Sequence, residues 1–253
     1  MMKTRLFILA ILLALAGCAT GPNADPRDPL EPFNRGVMRF NDGIDAAVLK
    51  PVATAYVEGV PPLVRTGVSN FFGNLSDVWS FVNNVLQLRL QHAGETWIRL
   101  NVNTFFGLGG ILDIASDLNI ERHREDFGQT LGRWGIGPGP FIMLPLLGPS
   151  TLRDTLALPV DMRFNPLRQI SNEDVRYGFY GLRTVNTRAN LLRVGTVLEE
   201  AALDKYSFTR DAHLQRRSGE IYDSGPRSRD SSAGSDSSTP APDAGQPVVP
   251  PQR

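Results

Sequence analysis

Apolar residues recur along this chain at helical spacing, and alternation of the kind that marks strands is scarce. Phe33, Val37, Phe40, Ile44 and Val48 form one stripe, with Arg35, Arg39, Asn41, Asp42 and Asp45 on the other face. This predicts a helix that Pro51 ends or restarts, followed by a short piece closed by Pro61-Pro62. From Pro62 to Leu90, the positions Phe71, Leu75, Val78, Trp79, Val82, Val85 and Leu86 read as a wide core-facing stripe. Phe72, Phe81 and Leu88 fall outside it and predict a second apolar surface, packed on another element or turned to lipid. A further helix is expected from Glu95 to Phe106, stopped by Gly107-Leu108-Gly109-Gly110, with a brief helix from Ile111 to Leu118. The run from Glu121 to Asp126 mixes both signs and reads as a solvated helix face, attraction to lipid headgroups being the alternative.

The segment from Gly135 to Asp154 breaks this helical pattern. Prolines and glycines crowd Gly135 to Pro145 and exclude a long helix, yet Phe141 to Leu147 is almost wholly apolar. Connections normally run over the surface and carry polar groups. An apolar one must lie against the body, as a buried β-hairpin or an extended segment closing the core, or else face an apolar phase that is not protein. After it, Thr151-Leu152-Arg153-Asp154 fits a capping box, and Ser171-Asn172-Glu173-Asp174 fits a second that opens a long helix. Further helices are expected from about Asn190 to Leu203 and from about Ser207 to Tyr222. From Ser224 onward about half the residues are Ser, Pro or Gly, so the tail is expected to be disordered. The periodicity thus gives an all-α body over 31–223, with one Gly/Pro-rich apolar loop.

The amino terminus adds an anchor. Lys3 and Arg5 precede an apolar run from Leu6 to Ala16, the layout of a secretory signal peptide and too short to span a bilayer. Leu15-Ala16-Gly17-Cys18 looks like a bacterial lipobox, which makes 1–17 the signal, Cys18 the lipidated residue and 18–30 a short tether. Cys18 is also the chain's only cysteine, so no intramolecular disulfide can form. Ala19 follows it, where an aspartate would suggest retention at the inner membrane, and this favours the outer membrane. Without residues 1–17 the chain keeps 24 basic and 26 acidic side chains, which argues against a nucleic-acid partner.

Catalytic chemistry finds no constellation. His92, His123 and His213 have no metal-ligand spacing and read as surface or capped residues. The glycine cluster at 107–110 lacks a preceding strand and a following Gly-Lys-Ser/Thr, which rejects a phosphate loop. Ser150 lies in Gly-Pro-Ser-Thr-Leu, not in a nucleophile elbow, and is read as helping to start a helix. Carboxylates are plentiful, but no pair stands in an apolar context suited to acid–base work. No enzyme activity, metal or cofactor is therefore expected.

Four pieces in order carry a resemblance: the lipobox at Cys18; Asp28-Pro29-Leu30-Glu31-Pro32-Phe33-Asn34-Arg35 with Phe40-Asn41-Asp42; the loop from Gly139 to Asp154; and Lys205-Tyr206-Ser207-Phe208-Thr209-Arg210-Asp211. With these the chain resembles the MlaA family, also called VacJ, of outer-membrane lipoproteins that maintain lipid asymmetry. The resemblance implies a ring-like arrangement of amphipathic helices around a central channel, set in the inner leaflet of the outer membrane. It implies that misplaced outer-leaflet phospholipids descend through the channel to the soluble periplasmic carrier MlaC, beside a trimeric porin of the OmpC/OmpF type. On this view Phe40, Asn41, Pro140, Phe141, Met143, Leu144, Pro145 and Leu146 are candidates to line or gate the path. Arg133 and Arg153 are candidates to meet lipid phosphates. Two other readings stand beside it: a lipid-anchored scaffold that holds a porin without moving lipid, and a lipid-modifying hydrolase.

Overall fold

Proline placement shapes the first third of the body. In the computed structural model, which describes residues 25–192 and 203–222, α1 (Glu31–Ile44) runs through a π-helical turn (Asp45–Leu49) into α2 (Lys50–Gly59). Pro51 therefore restarts the helix. It sits in the first turn of α2, where a missing N–H costs little, and the wider turn before it closes through Lys50 N donating to Asp45 O. α1 begins after Leu30 without a side-chain cap. The signal peptide, Cys18, most of the helix expected near 190–203 and the expected tail lie outside the described residues.

α3 (Pro62–Leu86) and α4 (Leu90–Phe105) pack on each other, joined by a turn in which Leu88 takes a left-handed φ of 59°. α4 starts at Leu90, earlier than expected, because no breaker interrupts its first turn. α5 (Ile114–Asp117) is capped by Asp113. The charge run at 121–126 corrects its expectation: it is irregular rather than helical, and two of its charges turn inward. Arg122 Nε lies 3.1 Å from Asp77, and Glu125 lies 2.6 Å from Arg89. Interior partners on the neighbouring helices hold the segment more firmly than solvation of a helix face would.

α6 (Phe127–Arg133), capped by Asp126, leads into the Gly/Pro-rich segment, which resolves as a hairpin. β1 (Phe141–Leu144) pairs antiparallel with β2 (Gly148–Thr151), Phe141 opposite Thr151 and Leu144 opposite Gly148. α7 (Leu152–Phe164) follows at once, with Asp154 N donating to Thr151 Oγ1 at 3.2 Å as the capping pattern required. α8 (Glu173–Asn190) is capped by Asn172, one residue later than the pattern suggested. α9 (Lys205–Tyr222) closes the described body.

The helices are turned inside out relative to a water-soluble bundle. α3 buries Asn74, Asp77, Ser80, Asn83 and Asn84, while Val78, Val85 and Leu86 are exposed. The stripe expected to face a core thus points outward at these positions. Periodicity identifies which residues share a face, not which face is inside. The apolar core of the described residues is small, built around Met38, Phe141, Met143 and Tyr206. Arg99, Asn34, Asn83, Asn84, Asn103 and Asp77 are among the largest fully buried side chains, whereas Phe105 and Phe106 are 76% and 75% exposed.

Candidate functional site

The hairpin is where three of the sequence motifs meet. Asn34, fully buried on α1, donates through Nδ2 to Asp28 Oδ1 (2.8 Å) and to Phe141 O (3.1 Å), and its Oδ1 accepts from Met143 N (2.9 Å). Tyr206 of α9 donates its hydroxyl to the other oxygen of Asp28, and Arg210 pairs with Asp25 at 3.1 Å and with Asp28 at 3.4 Å. Burial, then the contact with Asp28, pushes the Tyr206 phenol well above its ordinary range, so it stays a donor. The Phe141 ring meets Tyr206 edge-on, and Met38, one turn after Asn34, completes the apolar contact.

Two turns along the same helical face, Asn41 holds the other end of the hairpin. Its Nδ2 donates to Leu144 O (3.0 Å), and its Oδ1 accepts from Leu146 N (2.8 Å). Asn34 and Asn41, seven residues apart, thus fasten the base and the tip of β1 to one helix. Among the candidates for the path, the structure separates two groups. Phe141 and Met143 are buried in the core, and Pro140, whose carbonyl accepts from Leu152 N, lies at the base. Phe40, Pro145 and Leu146 are exposed, and Leu144 is half-buried. Leu146 takes a left-handed φ of 62°, which costs a leucine about 1–2 kcal/mol. Replacing Leu146 by glycine is expected to raise the thermal midpoint by a few degrees; an unchanged or lowered midpoint would show that its exposed side chain holds the turn.

The phosphate candidates have protein partners. Arg153 is buried and pairs with Asp154 at 2.9 Å. Arg133 donates to Ile221 O at 2.9 Å and is otherwise exposed. Asp154 belongs to a network with Arg217, whose Nε reaches it at 2.9 Å and whose Nη1 and Nη2 clamp Asp126 at 2.7 and 2.9 Å. Gly128 lets this network close, since a Cβ there would stand 2.5 Å from Asp154 Oδ1. A second network joins Arg99, Asp113 and Asn103. Beside it Gly110, at φ +92°, lies so close that a Cβ would meet that of Asn74 at 2.5 Å. The glycine cluster is thus a close-approach turn. Ser150 lies in β2 and hydrogen-bonds Thr155 Oγ1 at 3.0 Å, while the first-turn N–H of α7 is capped by Thr151 and not by Ser150.

The histidines, expected as surface or capped residues, are all half-buried. His92 and His123 stack with ring centroids 3.9 Å apart, and Glu95 meets His123 Nε2 at 2.5 Å. The distant stretches that carry them gave no spacing signal. His213 faces the Phe141 ring, and burial, then the Arg217 charge, pushes its pKa down to about 4. The unfolded chain therefore holds this proton between about pH 6.5 and 4 where the folded chain does not, so stability falls as pH drops through that window, by ~3 kcal/mol at most, and falls no further below it. Replacing His213 by phenylalanine is expected to flatten the thermal midpoint over that range; an unaltered pH profile would place the dependence elsewhere.

Comparison with known proteins accounts for this arrangement. The family model for the MlaA lipoprotein matches residues 26–220. The intermembrane phospholipid transport system lipoprotein MlaA of Escherichia coli K12 is 37% identical over 222 residues, 85% of this chain and 88% of that protein. The protein of the same description from Haemophilus influenzae is 33% identical, covering 88% and 92%. A structure solved in work on the structural basis for maintenance of bacterial outer membrane lipid asymmetry aligns with a TM-score of 0.68 at 34% identity, over 77% of this chain and 98% of that one. The match takes in the hairpin, both of its asparagine clamps and the α9 residues that close on it, and the chain belongs to the MlaA lipoprotein family.

Proposed function

We propose that this chain is an outer-membrane lipoprotein that removes mislocalised phospholipid from the outer leaflet and passes it, through an amphipathic path between its helices, to a soluble periplasmic carrier. The inverted polarity of the body carries this reading. Each square ångström of apolar surface left in water costs about 25 cal/mol, so a body that exposes Phe105, Phe106, Leu63, Leu88 and Leu90 is suited to acyl chains. The asparagines and arginines that fill its interior supply polar groups suited to headgroups. No described helix is long and apolar enough to cross a membrane, which fits a body set in one leaflet beside a porin trimer and held by the acylated Cys18. The hairpin tip at Leu144–Leu147, pinned by Asn41, would gate the path, while Phe141 and Met143 would hold its base. The body would act without catalysis.

The test is mass spectrometry of lipids that co-purify with the intact lipoprotein, paired with measurement of outer-leaflet phospholipid in cells lacking it. Bound phospholipid together with its accumulation outside is the expected result. An unchanged outer leaflet with no bound lipid would sink the transport reading in favour of a scaffold.

A further inference from the structure

Arg183 is half-buried and has no anionic partner among the described residues. It lies on α8 one turn after Phe179, whose ring stacks on Phe71 of α3, so its side chain runs along the seam between these helices. Its Nη2 donates to Ser76 Oγ at 3.2 Å, and Ser76 in turn donates to Phe72 O at 2.9 Å. Among the described residues this is the one hydrogen bond of a guanidinium with five donors, and no carboxylate pairs with it. The contrast with the deeply enclosed arginines is plain. Arg89, Arg99, Arg122, Arg153, Arg210 and Arg217 each have an acidic partner no farther than 3.1 Å.

A second cation stands near. The 122–125 stretch lies against α3, Arg122 pairing with Asp77 and Glu125 N donating to Ser80 Oγ at 3.2 Å, one turn from Ser76; Arg124 within it is exposed and forms no ion pair among the described residues. Burial is the main influence that disfavours the charge on Arg183; Tyr180 opposes it, and Arg124 adds to it more weakly. Drawing a guanidinium out of water without an anion costs free energy that a negative ligand would return. Two unpaired arginines and a hydroxyl on three different segments match the needs of a phosphate group, which guanidinium recognises with paired N–H donors.

We propose that Arg183, oriented by Ser76 and joined by Arg124, forms a subsite for a phosphate-bearing anion on the α3–α8 seam, the natural occupant being the phosphodiester of a phospholipid headgroup. This rests on the transport reading and deepens it by naming where the headgroup is held. Free phosphate shares the same chemistry and is separated from the lipid by the test.

The full-length lipoprotein in neutral detergent is equilibrated with an equal mixture of phosphatidylglycerol and the phosphate-free monogalactosyldiacylglycerol, and retained lipid is read by native mass spectrometry. The variants are Arg183→Gln, Arg183→Lys and Arg124→Gln. Wild type is expected to prefer the phospholipid by about tenfold, Arg183→Gln to lose the preference, and Arg183→Lys and Arg124→Gln to keep part of it. Arg183→Gln should also leave the thermal midpoint unchanged or raise it, since it removes an unpaired charge; a large drop would indicate a structural role and overturn the assignment. A phospholipid preference that survives in Arg183→Gln overturns the subsite while leaving transport standing. If inorganic phosphate alone binds wild type and not Arg183→Gln, with lipid retention equal in both, the headgroup assignment is overturned in favour of a free anion. Wild type that retains neither lipid defeats the transport reading itself, and the subsite with it.

Discussion

Replacing Asn34 by alanine is expected to lower the thermal midpoint of the detergent-solubilised lipoprotein by roughly 10 °C, from a loss of about 4 kcal/mol. The side chain is fully buried and serves three groups at once: the Asp28 carboxylate, Phe141 O and Met143 N. Alanine restores none of them and admits no obvious substitute, so a buried donor and a buried carboxylate lose partners together. The loss should concentrate at the hairpin, giving limited proteolysis within Ile142–Pro149 before the rest of the body is cut. Asn34→Asp is the sharper control, because it keeps an acceptor for Met143 N but sets a second carboxylate against Asp28. It should be at least as damaging at neutral pH. A midpoint within about 2 °C of wild type for Asn34→Ala would mean that α1 does not hold the hairpin through this residue. Asn41→Ala, at the half-exposed tip, should cost only about 1 kcal/mol yet release the turn. On the transport reading that release should raise surface phospholipid in cells with little change in global stability.

The second large effect is expected at Arg217. This side chain joins α9 to both the cap of α6 and the start of α7 through Asp126 and Asp154. Arg217→Met keeps much of the volume but leaves the two carboxylates facing each other, at a cost of about 3–5 kcal/mol. The cost should depend on pH. Burial alone would raise the pKa of Asp154; the hydrogen bond and charge of Arg217, helped by Arg153, more than reverse this and hold it below the ordinary range. In wild type that contribution is present above the unfolded carboxylate pKa, near 3.9, and is lost only as pH falls through the lower folded value. Without Arg217 only Arg153 opposes burial, so the folded pKa is expected to rise and the variant to recover stability as pH falls toward 4. The gap in thermal midpoint between wild type and Arg217→Met should therefore narrow from pH 7 to pH 4. A gap that stays constant over that range would show that the loss comes from packing and not from uncompensated charge.

These networks explain how residues that look unremarkable in the chain become organising ones. Asp28, Asn34, Phe141, Tyr206 and Arg210 lie in three separate motifs, and their convergence on one hairpin gives those motifs a shared physical role. The hairpin needs such a frame, because a two-stranded ribbon by itself is marginal in water. Its core partners supply only Met38, Phe141, Met143 and Tyr206 as buried apolar contact, so polar fastening carries much of the specificity.

The sequence by itself determined the helical body, most helix starts, the capping role of Thr151 and the family, because these depend on local periodicity, turn chemistry and short ordered motifs. It also isolated the Gly/Pro-rich apolar segment, since prolines and glycines deny a helix wherever the segment is placed. Only the tertiary structure decided that the polar face of α3 is the buried one, that the 121–126 charge run is non-helical with charges turned inward, and that His92 stacks on His123. It alone left Arg183 without a carboxylate. The physical reason is common to all four. Periodicity says which side chains share a face, but what lies opposite that face is set by residues tens of positions away, and a buried charge is defined by its partner.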